Sequence, residues 1–446
     1  MVMTNGDVPS RTEVVDVESK IKSQELSEDR QDFSDYAPLS QEGVVCQKFD
    51  GRYGVYYVLR SPSRSYLKLD PENYYLWSKM DGNTTVTDLT FAYFSRSGDL
   101  ALRRLSVLIG TLSKKGFLAN PPKQLNEEVQ VKSKDNKIAS LGDRIIKFYL
   151  KHEFPIYGLD GLLTRLYNVC IRFLYTQPAL ILFWAITLVG LVLFTYIVFQ
   201  GSYNLISINS TGLDIISVYV TLLITIPLHE GAHAFTVKHY GREVNRGGAM
   251  IYLGSPAFFV DTQDIWLADR RARIAVSWAG PFSNFILSGF LIGLLYACPN
   301  IIVNRLLFQM ATVSYLIAIV NLNPLLELDG YYILMDWLEI PSLRQRSFMF
   351  LQGKLFYKIK HRVNLSSKEH IYIVYGLLGG TCTIYMVWLA ARYLGRHIAP
   401  LTVELWKTLG VEGKLIIAVI MLVIVVPLAS SILRRLHLSI RQIGTQ

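Results

Sequence analysis

Residues 226–235 read I-P-L-H-E-G-A-H-A-F, inside an apolar run that begins near residue 213. The stretch holds two histidines four apart, His229 and His233, with Glu230 beside the first. On a helix each step turns about 100°, so residues four apart project within about 40° of each other. Two imidazoles on one face can hold one zinc ion, and the neighbouring carboxylate can reach a water on that ion. Zinc lowers the pKa of such a water towards about 7, and a carboxylate then removes its proton as it attacks a peptide carbonyl. The competing reading is chance, or histidines satisfied by helix packing. The apolar setting weighs against it, because a charged residue at the centre of a bilayer costs roughly 2.5–3.5 kcal/mol on insertion scales. Three ionisable groups within five residues need a compensating partner, and a metal provides one.

Composition agrees with an apolar setting. Of 446 residues, 51% are hydrophobic and only 18% charged, and mean hydropathy is positive. A membrane protein with a modest soluble part fits those values better than a soluble globular chain. The net charge of +10 could serve nucleic acid, but many lysines and arginines flank apolar segments, where they orient a chain in a bilayer. No nucleic acid partner is expected. Cys46, Cys170, Cys298 and Cys382 lie far apart without a C-x-x-C pair, which supports neither a cysteine metal site nor a disulfide framework. The first forty residues are polar and net acidic, so no cleavable signal peptide starts the chain.

Working outward, residues 1–42 carry few apolar residues and no periodicity and read as a disordered acidic tail. Residues 45–120 can fold in water. Tyr53 to Leu59 and Tyr66 to Leu69 flank a turn-like S-P-S-R-S and read as a hairpin. Asp70-Pro71 opens a helix through Met80, and Thr87 to Phe94 and Asp99 to Lys115 supply two more helical stretches. The sum is a small α+β domain of winged-helix type. A basic linker covers 121–151, and residues 152–446 form the membrane part.

Six segments there are long enough to cross a hydrocarbon core, which takes about 20 residues of helix: 178–199, 213–240, 274–298, 303–328, 371–394 and 414–434. Open sheet edges are not tolerated in lipid, so these should be helices. The chain is thus expected to be mainly α, with about six transmembrane helices. Arg144, Lys147, Lys151, Arg165 and Arg172 precede the first, and the connections from Lys238 to Arg273 and from Arg344 to Lys368 are basic. The connection from Gln200 to Gly212 has no lysine or arginine. The positive-inside rule then places both termini in the cytoplasm of a multi-pass protein of the plasma (inner) membrane. Arg396 and Lys407 run against that orientation for the last two helices.

A catalytic zinc needs a third protein ligand and an open position. His239 sits ten residues after His229, but on a continuing helix it lies about 15 Å further along the axis. Asp261 and Asp264, in F-F-V-D-T-Q-D, fall in a cytoplasmic loop. Asp329 is the strongest candidate. It closes the fourth apolar segment in N-L-N-P-L-L-E-L-D-G, where Pro324 interrupts regular helix and Gly330 lets backbone approach. Residues 213–228 span roughly 24 Å at about 1.5 Å per residue, which puts the histidines in the cytoplasmic third of the membrane, at the level where Asp329 arrives. An ordinary helix-end aspartate is the plain alternative.

These residues resemble the site-2-protease family of membrane zinc metalloproteases, which pairs H-E-x-x-H with a later N-x-x-P-x-P-x-L-D-G motif. Asn321, Pro324, Leu328, Asp329 and Gly330 match, and Leu326 stands in place of the second proline. The resemblance covers roughly 177–340 and implies Zn2+ as cofactor, His229, His233 and Asp329 as ligands, and Glu230 as the catalytic base. A family glycine-proline-asparagine element is matched by Gly280, Pro281 and Asn284. It reads equally as a kinked, closely packed helix or as a substrate contact, and Asn284, Gly280, Asn321 and Pro324 are the candidate substrate-binding or supporting residues. The amino-terminal domain is similar to the peptide-chaperone winged helix of pyrroloquinoline-quinone biosynthesis, through its hairpin, D-G-N-T-T-V at 81–86 and L-S-K-K-G-F-L at 112–118. Such domains add a leader peptide as a strand; DNA binding and a purely structural role are the alternatives.

The expectation is a membrane-embedded zinc metalloendopeptidase that hydrolyses a peptide or membrane-protein substrate near the cytoplasmic face. Its partners would be that substrate, the lipid bilayer, and export or modification proteins. A non-catalytic peptide export or maturation partner with a structural metal site is the first rival. A transporter or channel with a metal-binding gate is the second.

Overall fold

The computed structural model describes residues 33–98, 102–122, 151–201, 211–252, 255–393 and 395–396. The chain divides into two compact units, residues 1–139 and 140–446.

In the first unit β1 (Val45–Gly51), β2 (Gly54–Arg60) and β3 (Tyr66–Leu69) form an antiparallel sheet in that order. The hairpin reading covered β2 and β3, which pair from Arg60↔Tyr66 to Tyr57↔Leu69. It missed β1, whose polar V-C-Q-K-F-D-G is mostly exposed and has no clean apolar face. Three helices follow: α1 (Pro71–Ser78), α2 (Val86–Ser97) and α3 (Leu102–Lys114). Asp70 caps α1 by accepting from the Asn73 N–H, with Pro71 in the first turn. Thr85 and Asp88 form a capping box at α2. Leu59, Leu76, Leu89, Leu105, Ile109, Leu112 and Phe117 are fully buried in one core. The tail reading needs correction for residues 33–42. Phe33 and Tyr36 pack against that core, and Leu39 and Ser40 bridge to Asp81 and Leu118. Two aromatic side chains and backbone hydrogen bonds, such as those from the Ser40 N–H to the Met80 carbonyl and from the Gln41 N–H to the Phe117 carbonyl, hold this short polar segment.

The second unit is mainly helical. It begins with β4 (Lys151–Tyr157) and α4 (Leu159–Leu166), then helical turns through Tyr175. Next come α5 (Gln177–Gln200), α6 (Thr211–His239), β5 (Arg246–Tyr252), β6 (Ser255–Val260), α7 (Arg270–Ala297) and α8 (Ile301–Asn321). Beyond a turn lie α9 (Asp329–Leu338), α10 (Leu343–Met349), α11 (Leu355–Lys360) and α12 (Ser367–Tyr393). Among the described residues three helices, α5, α7 and α8, are long and apolar enough to cross a membrane. The expected spans at 213–240 and 371–394 correspond to helices α6 and α12, and 414–434 lies outside the described residues. The fourth expected segment, 303–328, stops as helix at Asn321, so Asp329 opens the next helix instead of closing this one. The connection read as a basic loop between residues 238 and 273 contains β5 and β6, which join β4 in an antiparallel sheet of order β4-β5-β6.

Helix α7 sits at the centre, packing on α5, α6, α8 and α9. Small residues set the approach of α5 to α7: a Cβ on Gly190 of α5 would lie 2.3 Å from the Gly289 Cα of α7, and one on Gly289 2.5 Å from the Ile186 carbonyl oxygen. Where lipid supplies no hydrophobic drive, helix pairing relies on such backbone contact. Gly289→Ala is therefore expected to destabilise the detergent-purified chain by about 1–3 kcal/mol through overpacking. Gly293→Ala, whose Cβ meets nothing within 4 Å, should not. Thermal unfolding of the two variants checks this, and equal midpoints would contradict it.

Candidate metal centre

Helix α6 carries His229 and His233 one turn apart, just after Pro227. Both imidazoles are buried. Their rings stand edge to face with centroids 4.7 Å apart, the placement that i, i+4 spacing dictates. Asp329 comes from far along the chain. The turn at 322–328 leads into α9, and its closeness requires Gly330, since a Cβ there would sit 2.2 Å from the Leu322 carbonyl oxygen. The Tyr375 hydroxyl donates to the Pro324 carbonyl at 3.0 Å and holds the turn from α12. Arg273 of α7 pairs with Asp336 of α9 at 2.7 Å, and Arg270 with Glu339 at 3.5 Å. These pairs fasten α9 to α7.

The result is a triad. His229 Nε2 lies 3.0 Å from Asp329 Oδ2, and His233 Nε2 3.4 Å from Asp329 Oδ1. Tetrahedral ligands each about 2.1 Å from one zinc ion stand about 3.4 Å apart, so these separations fit a shared ion. The donor set points the same way. His233 Nδ1 lies 2.6 Å from the Val276 carbonyl, which can only accept, so that nitrogen carries the proton. A neutral ring then turns a bare Nε2 lone pair towards a carboxylate oxygen, a repulsion that an intervening cation converts to attraction. The space above the rings is also kept clear: a Cβ on Gly280 would fall 2.3 Å from His233 Nε2 and 2.5 Å from His229 Nε2. His229, His233 and Asp329 are the group of described residues whose ligand atoms could hold a metal, all within 4.8 Å of one another.

The other candidates are placed elsewhere. His239 stacks on Tyr175 at 4.5 Å and its Nδ1 meets the Tyr167 hydroxyl at 2.8 Å. Burial pushes the Tyr175 hydroxyl up to about 12. Asp261 pairs with Arg246 at 3.1 Å. Asp264 is buried, 3.3 Å from Arg242 and accepting from the Glu243 N–H. Of the supporting residues, Gly280 lines the triad and the Asn284 amide lies 3.1 Å from His229 Nδ1. Pro324 shapes the turn. Asn321 donates to the Ile317 carbonyl of its own helix instead.

Sequence reading missed two backbone groups. One is the Val276 carbonyl. The other is the Val260 N–H at the end of β6, which donates to Glu230 Oε2 at 3.1 Å. Backbone groups leave no mark in side-chain motifs; the F-F-V run at 258–260 is a strand signal, but it does not tell that β6 lies beside α6.

No protein-family model matches the chain. A Bacillus subtilis protein named "Putative peptide zinc metalloprotease protein YydH" is 26% identical over 132 residues, covering 28% of this chain and 49% of that protein. An uncharacterized protein of Methanocaldococcus jannaschii is 39% identical over 70 residues, 15% of this chain and 19% of that protein. The chain thus spans about half the length of the first relative and about a fifth of the second. No solved structure matches.

Gly280→Ala tests the clearance directly. The added methyl would occupy the place of an ion between the rings, so zinc per purified chain is expected to fall by at least tenfold, with the helices intact by circular dichroism. Native zinc content in this variant would show that the ion lies elsewhere.

Proposed function

We propose that the chain is a membrane-embedded zinc metalloendopeptidase acting on a peptide or membrane-protein substrate. The observation that carries this reading is the meeting of His229, His233 and Asp329 at separations that fit one shared ion, with Glu230 adjacent in sequence to His229. The match to a relative named as a peptide zinc metalloprotease supports it. Three helices able to cross a membrane, one of them carrying Gly280 and Asn284, support a membrane setting.

A zinc ion held by the triad would act as Lewis acid on a peptide carbonyl and lower the pKa of water beside it. The residues of the chain do the rest. Glu230 takes a proton from the attacking water and returns it to the leaving amine. The Val260 N–H holds the Glu230 carboxylate at the end of β6, which limits its rotamers. The buried rings and the turn at 322–328 hold Asp329 at the start of α9. In this reading the site faces the cytoplasm and the termini lie on that side. The amino-terminal unit, with its mostly exposed edge strand β1, captures a leader peptide or a membrane-protein tail for cleavage.

The test is purification in detergent, with zinc per chain and cleavage of candidate peptides measured with and without a chelator. Glu230→Gln is expected to keep zinc and lose at least about two orders of magnitude in cleavage rate, the scale of one proton-transfer group. Asp329→Ala should lose both zinc and cleavage. Full activity in Glu230→Gln would refute the assigned base. Bound zinc without turnover of any peptide would favour an export or maturation partner with a structural metal. Deleting residues 1–120 should raise KM for a leader-bearing peptide while kcat for a short one stays unchanged.

A further inference from the structure

The geometry points to Asn284 as a positioning residue for His229, acting through its side-chain oxygen to fix the ring proton on Nδ1 and leave Nε2 bare towards Asp329. This rests on the metalloprotease reading of the same site and assigns the residue a task other than substrate contact.

Val276, Gly280 and Asn284 are four apart and share one face of α7. The helix runs antiparallel to α6, so His233 meets Val276 and His229 meets Asn284. Gly280, midway, lies against both Nε2 atoms. On this face Val276 and Asn284 address the Nδ1 atoms, which point away from Asp329, and Gly280 leaves room beside the Nε2 atoms that face it. At His233 the proton location is settled, because the Val276 carbonyl accepts at 2.6 Å.

At His229 the contact is between Nδ1 and the Asn284 amide nitrogen, 3.1 Å. With the amide nitrogen donating, Nδ1 would be bare and the proton would sit on Nε2, where a metal would bind. The same orientation leaves Asn284 Oδ1 buried without a hydrogen-bond partner. Amide oxygen and nitrogen are nearly the same size, and their assignment follows from the network around them. A half-turn of the amide brings Oδ1 against Nδ1–H, moves the proton off Nε2 and makes the two histidines equivalent. The N–H2 group then takes the oxygen's buried place, so the bare Nε2 that a metal needs, and not the orphaned atom, favours this orientation. Asn284 is well suited to a fixed task. It has no exposed surface, and Ser288 and Ser314 both donate their hydroxyls to its backbone carbonyl, at 2.8 and 3.1 Å. Hydrogen-bond partners of metal-ligating histidines typically contribute 10- to 100-fold in metal affinity by holding ring orientation and tautomer.

The experiment measures zinc affinity of the full chain in detergent by competition with a chelator, for the native protein, Asn284→Ala and Asn284→Asp. Asn284→Ala is expected to weaken zinc binding by 10- to 100-fold. Asn284→Asp keeps an oxygen that accepts from Nδ1–H but cannot donate, and its affinity is expected to stay within about threefold of native. Thermal midpoints in excess chelator report folding separately. Should Asn284→Ala fail to fold, Asn284→Asp decides alone: near-native affinity supports the inference and a loss of tenfold or more overturns it. Native zinc affinity in Asn284→Ala, with only KM for peptide altered, would also overturn it in favour of substrate contact. A native chain that binds no zinc would instead defeat the metalloprotease reading itself, so the two failures are separable.

Discussion

Three ionisable side chains meet among apolar helices, and the helices around them are shaped by that meeting. In a low-dielectric layer an unsatisfied polar group costs several kcal/mol, and a carboxylate beside two imidazoles cannot be left to water. Each ring has a neighbour for its outer nitrogen, the Val276 carbonyl or the Asn284 amide, and each turns its inner nitrogen to Asp329. That arrangement leaves a gap of the right size and polarity for a divalent cation. It also explains why two positions lack a side chain: Gly280 because the gap must remain open, Gly330 because α9 must begin against the Leu322 backbone.

The fold delivers this through one central helix. Helix α7 touches α5, α6, α8 and α9, so the element that holds the rings is also the one to which the Asp329 helix is tied. The tie is electrostatic at one end, where Arg273 reaches Asp336 and the Ala268 carbonyl. Towards its other end α7 meets α5 instead, where Gly190 and Gly289 let the two backbones approach. Sheet β4-β5-β6 adds a restraint on Glu230 through Val260. A shift of α7 would therefore disturb the two histidine rings, the gap beside Gly280 and the anchoring of the Asp329 helix together.

Much of the His229, His233 and Asp329 cluster, which could hold a metal, was legible in the sequence because its parts are local. His229, Glu230 and His233 lie within one turn or so of helix, and Asp329 was marked by Pro324 before it and Gly330 after it. Helix rise ranks His239 low as a ligand, and it stacks on Tyr175 in the fold. What could not be read was non-local or carried by backbone. Strand β1 has too polar a pattern to announce itself, and the helix end at Asn321 depends on how the turn packs beneath Tyr375. The contact of Asn284 with His229 joins residues 55 apart, and the sequence left that asparagine open between packing and substrate contact. Asn321 matches its motif and yet donates to its own helix, since a motif names a residue without fixing its rotamer.

X-ray absorption at the zinc edge of the detergent-purified chain tests the central claim most directly. The account predicts one zinc per chain, surrounded by about four nitrogen and oxygen neighbours at about 2.0–2.2 Å with imidazole scattering from two rings and no sulfur. Absence of zinc, or a shell containing sulfur or a single imidazole, would contradict it.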